Sequence, residues 1–331
     1  MLRVPAKKKL LVNVPLTNQF PDRLTIEEIS TSAAGLGFIA ELARAYRRVD
    51  CVLIVNGGAA HAAAALLAGF GGKSPKVLFY DVLLKRPGSL KERALALVKR
   101  FLFRFVDEFL VVHRDTSAYQ RFFGIRESKC RYLPFKANNF EILDQIKTTD
   151  EGYILAGGAS YRDYECFIEA VRSIDFPVRI VLPAVATAAY HHTAGLPAPL
   201  PGHVTVVRHD GNRESWNALL AAATIVVVPI IASCIQPAGI SVYLEAMALG
   251  KPVIISRGPA TNGLIGDDMA GLYESGRAEE LERQIRRMLE SPEYRRRIAG
   301  RGRDYAFGLE GSMRVSRDLQ AAALAVGSRG R

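Results

Sequence analysis

Short, wholly apolar runs recur between segments of helical spacing, and this alternation constrains the fold more than any other feature of the chain. CVLIV at Cys51–Val55, YILA at 153–156 and IVVV within 224–228 have no polar alternation, so each suits a strand buried on both faces. Lys9 to Pro15, Lys76 to Tyr80, Phe109 to His113, Val178 to Leu182 and Val204 to Val207 are further strands. Helical spacing fills the intervals, at 32–48, 59–68, 161–172 and 214–223. Strands of this kind separated by helices predict parallel α/β sheets.

A length of 331 residues suggests two domains. The polar segment 136–152, with Asn138, Asn139 and TTDEG, is a linker between 1–148 and 149–309. Residues 310–331 are expected to pack back on the first domain. Charge divides along the same line. Residues 1–150 hold 24 Lys and Arg against 14 Asp and Glu, while 151–331 hold 20 against 19. The basic excess of the first half admits nucleic acid, an anionic membrane or acidic small substrates. Aromatic residues do not interleave with the cations there, which argues against nucleic acid. Cys51, Cys130, Cys166 and Cys234 have no metal-ligand or disulfide spacing, which fits a reducing cytoplasm. No signal peptide is expected, because Lys7, Lys8 and Lys9 are followed only by LLVNVPL before polar residues, and no membrane-spanning segment is expected, because Asn217, Pro229 and Gly239 interrupt the long uncharged run 215–244.

The stretch 237–256, PAGISVYLEAMALGKPVIIS, reads as a loop, a helix and a buried strand. Gly239 permits close backbone approach, Ser241 is the expected N-cap, and Gly250 ends the helix. A helix N-terminus so placed favours an anion, and Glu245 one turn in has the reach for ribose hydroxyls. Leu244-Glu245-Ala246-Met247-Ala248 followed by Gly250-Lys251-Pro252 resembles the donor-site signature of the retaining family-four GT-B glycosyltransferases. That resemblance implies two facing Rossmann-like α/β domains with a cleft between them, and transfer of a sugar from a nucleotide sugar with retention of configuration. Glu245 takes the position of the family's ribose-binding second glutamate. The first, eight residues upstream, is replaced by Pro237 beside Gln236.

The donor side is expected to comprise Gly157 and Gly158 after their strand, Arg162 for the departing diphosphate, Arg208, and Gly239, Ile240, Ser241 and Glu245. On the acceptor side, Asn56, Gly57, Gly58, Asp81 and His113 fall at C-terminal ends of strands, where open α/β sheets bind ligands. Asp81 is either an acceptor contact or weak general base, as the resemblance implies, or a capping or turn aspartate. Asp81 and Arg162 are the catalytic candidates. No D-x-D is present, so metal-independent chemistry without a cofactor is expected. His191 and His192 have no third ligand, and Gly71-Gly72-Lys73-Ser74 lies in the wrong order of elements for a phosphate loop. An epimerase acting on the nucleotide sugar shares the architecture and is the alternative.

Residues 89–106, SLKERALALVKRFLFRFV, form a helix whose stripe of Leu90, Ala94, Leu97, Val98, Phe101 and Phe105 is flanked by Arg93, Arg100 and Arg104. An apolar face edged by arginine suits a helix lying in a membrane interface, although an ordinary sheet-covering helix has the same pattern. With the first half so basic, the expectation is a peripheral enzyme on the inner face of the cytoplasmic membrane, acting on a lipid-linked or glycan acceptor.

Overall fold

A computed structural model describes residues 7–29, 36–56, 58–70, 75–183 and 196–326. The chain divides into two compact units, Met1–Pro134 with Met313–Arg331, and Phe135–Ser312.

The first unit runs β1 (Lys8–Val12), β2 (Leu24–Glu28), α1 (Leu36–Tyr46), β3 (Cys51–Val55), α2 (Gly58–Phe70), β4 (Lys76–Tyr80), α3 (Leu90–Leu102), β5 (Glu108–Val111), α4 (Ser117–Phe123) and β6 (Cys130–Tyr132). Its six strands lie in the order β2-β1-β3-β4-β5-β6, and all pairs are parallel. Val52, Leu53, Val77, Leu78 and Phe79 are fully buried, as continuous apolar strands covered on both faces must be. The order changes direction between β1 and β3, and there Asn13 exchanges both side-chain hydrogen bonds with the Val55 backbone, at 2.6 and 2.8 Å. The terminal helix α11 (Ser312–Val326) joins this unit. Lys8 Nζ donates to Leu324 O at 2.8 Å, Ser316 Oγ to Thr17 O at 3.0 Å, and Arg314 to Pro134 O at 2.7 Å.

The second unit runs α5 (Phe140–Leu143), β7 (Ile154–Gly157), α6 (Tyr164–Val171), β8 (Val178–Pro183), β9 (Val204–His209), α7 (Arg213–Ala222), β10 (Ile225–Val228), α8 (Ile240–Ala248), β11 (Val253–Ser256), β12 (Gly271–Tyr273), α9 (Ala278–Glu290) and α10 (Pro292–Gly308). Its parallel sheet has the order β12-β11-β10-β7-β8-β9, which reverses between β7 and β10. On one face Tyr164, Phe167 and Ile168 of α6 pack with Leu281, Ile285 and Met288 of α9. On α8, Val242–Ala248 is buried throughout, as expected of a helix without a polar face.

Several boundaries differ from the sequence reading. The units part after Pro134, not at 148, because 135–152 is no free linker. It carries α5, whose Phe140 ring meets Phe307 of α10 at 5.3 Å. β9 continues to His209, so Arg208 lies within the strand rather than beyond its end. The helix expected over 89–106 stops at Leu102 and tightens into a 3-10 turn over Phe103–Phe105. Its start is sharply set: Ser89 is the N-cap and forms a reciprocal capping box with Glu92. Helix α8 is capped by Gly239, not Ser241. Gly239 is left-handed, with φ 87°, and a Cβ there would stand 2.7 Å from Val228 Cγ1, so only glycine suits both the turn and the contact. Residues 71–74, 191, 192 and Gly57 lie outside the described residues.

Helix α3 is inverted relative to an ordinary sheet-covering helix. Ala96 and Leu102 are its buried residues, whereas Leu90, Leu97, Val98 and Phe101 are 82%, 66%, 53% and 46% exposed. The stripe therefore faces outward.

Candidate functional site

The reversal of strand order between β7 and β10 opens a crevice at the C-terminal ends of the strands, the usual ligand position in an open α/β sheet. A cavity of about 580 Å³ lies on that edge, wholly within the second unit. Its walls come from the turn after β7 (Gly158, Ala159), the end of β8 (Leu182, Pro183), His209 and Arg213 around β9 and α7, the start of α8 (Ser241, Val242), and Lys136 with Asn138 before α5. The volume is that of an ordinary small-molecule site.

Glu245 projects into the cavity from the second turn of α8 and is only 5% exposed. Trp216 Nε1 donates to Glu245 Oε2 at 2.7 Å. Burial raises the carboxyl pKa, opposed by that bond, by Asn138, and by the charges of Lys136 and Arg213. The Trp216 indole is held in turn by two neighbours. A Cβ on Gly157 would stand 2.9 Å from its Cη2, and the His209 ring meets it edge-on at 5.7 Å. His209 Nδ1 accepts from Gly211 N at 3.0 Å, which fixes the imidazole beside the opening.

At the start of α8, the backbone N–H groups of Ser241 and Val242 make no hydrogen bond among the described residues, whereas Tyr243 N closes the first helical turn on Gly239 O at 3.0 Å. These are donors of the kind a helix N-terminus offers an anion. Two cations share the cavity. Burial lowers the Lys136 pKa, and Arg213 Nη1 donates to Asn139 Oδ1 at 3.0 Å.

Of the expected donor residues, Gly158, Ser241 and Glu245 therefore line one cavity, while Gly157, Gly239 and Ile240 stand behind it. Arg208 does not reach it. Alternation along β9 exposes Arg208 and turns His209 to the cavity. Arg162 neither lines the cavity nor pairs on the surface. It is 2% exposed, and its Nε and Nη1 donate to Gly157 O at 2.7 Å and Ser160 O at 2.6 Å. Its guanidinium lies against the α-carbon of Gly158, so this arginine braces the glycine turn from beneath. Lys136, Trp216 and Arg213 escaped the sequence reading. Lys136 stood in an apparent linker, and Trp216 lay in an unremarkable helix 29 residues from its partner. The one available sign was that Trp216 is the sole tryptophan of the chain.

In the first unit, Asn56, Gly58 and Asp81 occupy adjacent strand ends, with Asn56 and Asp81 in left-handed conformations at φ 45° and 52°. Asp81 N donates to Leu110 O at 3.0 Å, and burial lifts its carboxyl pKa to about 6. His113 is 2% exposed, with neither ring nitrogen partnered among the described residues. Burial holds it neutral, with a pKa of about 4, and its ring lies edge-on to Tyr119 at 4.9 Å. All four cysteines are free, and no metal-ligand cluster occurs among the described residues.

Residues 197–305 match the family described as Glycosyl transferases group 1. No curated protein matches the sequence. Among solved structures, HepE of Anabaena in complex with UDP is similar over 97% of this chain and 100% of its own, with a TM-score of 0.69 and 14% identity. A glycosyltransferase from Rickettsia africae is similar over 98% and 100%, with 0.65 and 13%. Sucrose-phosphate synthase from Thermosynechococcus elongatus is similar over 97% and 89%, with 0.64 and 15%. The fold is that of the GT-B glycosyltransferases, and residues 197–305 are a glycosyltransferase domain.

Proposed function

We propose that this glycosyltransferase moves a sugar from a UDP-sugar donor, held in the second-unit cavity, to a lipid-linked or glycan acceptor, with retention of configuration and without a metal. The observation that carries the donor reading is the conjunction, in one cavity, of a buried carboxylate held by an indole, an open helix N-terminus and two cations. Glu245 accepts from the ribose hydroxyls. The diphosphate lies on the N–H groups of Ser241 and Val242, with Lys136 and Arg213 as counter-charges. As the bond between the anomeric carbon and the diphosphate oxygen breaks, negative charge grows on the leaving group, and oriented N–H groups and cations stabilise it more in the transition state than in the ground state. The acceptor oxygen then bonds to the anomeric carbon on the face the diphosphate leaves, as its hydroxyl proton passes to the departing diphosphate oxygen or to a weak base. Asp81, with a carboxyl that titrates near neutrality, suits an acceptor contact or weak base. HepE and its complex with UDP-glucose make UDP the first nucleotide to try.

Thermal-shift measurements with UDP, GDP, dTDP and ADP test the donor site, since a ligand at 100 times its Kd stabilises the fold by about 2.7 kcal/mol. UDP should raise the melting temperature most; no shift with any nucleotide overturns the reading. Unchanged turnover in EDTA tests metal independence. Product analysis separates transfer from epimerisation, which consumes donor without acceptor.

The acceptor reading includes an anionic membrane surface as partner. No described helix is long and apolar enough to cross a membrane. Of the ten large apolar side chains most exposed among the described residues, eight fall within residues 66–101 of α2, α3 and the segment between them, beside the basic excess of the first unit. Such a face suits shallow interfacial insertion assisted by electrostatic attraction. Flotation with anionic but not neutral vesicles, weakened by salt and abolished by R93E/R100E/R104E, is the expected result.

A further inference from the structure

A second cavity, of about 480 Å³, lies in the first unit at the C-terminal end of α3. Arg100 and Arg104 enter it from α3 and the 3-10 turn, Arg126 and Lys129 from the segment after α4, and Phe103 and Ile125 complete its apolar base. No carboxylate lines it. Elsewhere in this unit Lys76, Lys85 and Arg131 meet Asp107, Glu92 and Glu108 at 2.9, 2.8 and 2.7 Å, but Arg100, Arg104 and Arg126 have no ion pair among the described residues. Three arginines facing one cavity without an ion pair, beside a lysine that has only the carboxylate of Asp107 within electrostatic reach, repel one another, and an anion in their midst offsets that cost.

The cavity is also shaped for an anion at an unfavourable helix end. The carbonyls after α3 carry partial negative charge, yet Lys129 Nζ donates to Arg104 O of the 3-10 turn at 2.9 Å and to Val106 O just beyond it at 2.5 Å, which offsets those two. An ammonium has three N–H groups, so Lys129 keeps one for a ligand. Gly124 has φ 66°, and a Cβ there would stand 2.9 Å from Arg100 Cγ and Nε; the arginine therefore lies across bare backbone at the rim. The surface beyond the rim is apolar. Phe101 stacks edge-on with Phe105 at 5.4 Å, Phe105 meets Phe70 of α2 at 5.7 Å, and Phe70 is 70% exposed.

We propose that this cavity receives the headgroup phosphate of an anionic phospholipid while the exposed apolar side chains of α2 and α3 enter the bilayer surface beside it, an inference that rests on the membrane reading above. Guanidinium groups match phosphate oxygens in geometry as well as charge. A polynucleotide would gain nothing from Leu97, Val98 and Phe101, and a free phosphate would leave them in water. An amphiphile with an anionic head satisfies both halves of the surface.

The test is flotation of the full chain with phosphatidylcholine vesicles containing phosphatidic acid, comparing the parent with R100Q/R126Q and with K91Q/R93Q. The second variant removes the same charge from the same region outside the cavity. The cavity variant should lose about tenfold more affinity than the control, because it loses directed phosphate contacts as well as diffuse attraction. Equal losses in both variants overturn the cavity while leaving the membrane reading intact. A parent that ignores these vesicles at low salt overturns both, and UDP-induced stabilisation of the same preparation shows separately whether the donor site stands. Stabilisation by inorganic phosphate that is lost in R100Q/R126Q, without vesicle binding, overturns the lipid assignment in favour of a free anion.

Discussion

Trp216 Nε1 donates to Glu245 Oε2 across 2.7 Å, which joins α7 to α8 at the wall of the second-unit cavity and fixes the carboxylate at its lining. Glu245→Gln keeps an acceptor for the indole and removes only the charge. Nucleotide affinity should fall by roughly 1.5–3 kcal/mol while the melting temperature of the free protein is kept or raised, as calorimetric titration and thermal melts will show. Because burial raises the Glu245 pKa, affinity should also fall on acidification earlier than for an ordinary carboxylate. Unchanged binding in the glutamine variant removes Glu245 from the site.

Lys136 and Arg213 replace Arg162 as the cations expected to meet the diphosphate. The charge they face grows as the leaving group departs, so Lys136→Ala should lower kcat by roughly ten- to a hundredfold with a smaller change in KM. A rise in KM alone would mean that Lys136 binds substrate and transition state equally.

Arg162 and Gly158 form a structural pair. Arg162→Ala strips the hydrogen bonds from Gly157 O and Ser160 O and leaves a cavity, an expected loss of roughly 2–4 kcal/mol in chemical denaturation. Gly158→Ala should also destabilise, since a Cβ would fall 2.0 Å from Arg162 Nη2 at a backbone φ of 114°. Full stability in both variants contradicts the bracing role.

Asp81 sets stability against function. Its carboxyl ionises near pH 3.8 when exposed but near 6 in the fold, so the native state holds its proton longer than the unfolded chain. Stability contributed by the neutral form is present at low pH and declines as the pH rises through that window. Asn tolerates the left-handed backbone at φ 52° and carries no charge. Asp81→Asn should therefore melt higher than the parent at pH 7.5, with the difference shrinking below pH 4, while transfer activity falls. A variant that gains stability and keeps full turnover would make Asp81 a turn residue only.

Much of the fold was legible because its signals are local. Runs such as CVLIV have no polar face, and only a strand covered on both sides accommodates them, so parallel sheets followed from composition over five residues. Glu245 was legible for a similar reason, since a glycine turn, a helix start and a carboxylate one turn in are consecutive in the chain. Local signals failed by small displacements: the cap moved from Ser241 to Gly239, and the cavity-facing residue from Arg208 to His209. In a strand, one residue of displacement is a change of face.

What only the tertiary structure decided is which face is covered and which distant residues meet. Helical periodicity located the Leu and Phe stripe of α3 but carried no information on whether the protein interior or the solvent receives it, and the residues buried are Ala96 and Leu102 instead. Burial likewise converted Arg162 into a brace, because its guanidinium reaches the nearest unpaired carbonyls, and it drew Lys136 from an apparent linker into the donor cavity. The cationic cavity at Arg100, Arg104, Arg126 and Lys129 assembles only when β5 and α4 bring the later pair back to the end of α3. By itself the sequence determined the elements and the chemistry available on each. The juxtapositions that make sites depend on long-range packing, where the free energy resides in surfaces removed from water rather than in neighbours along the chain.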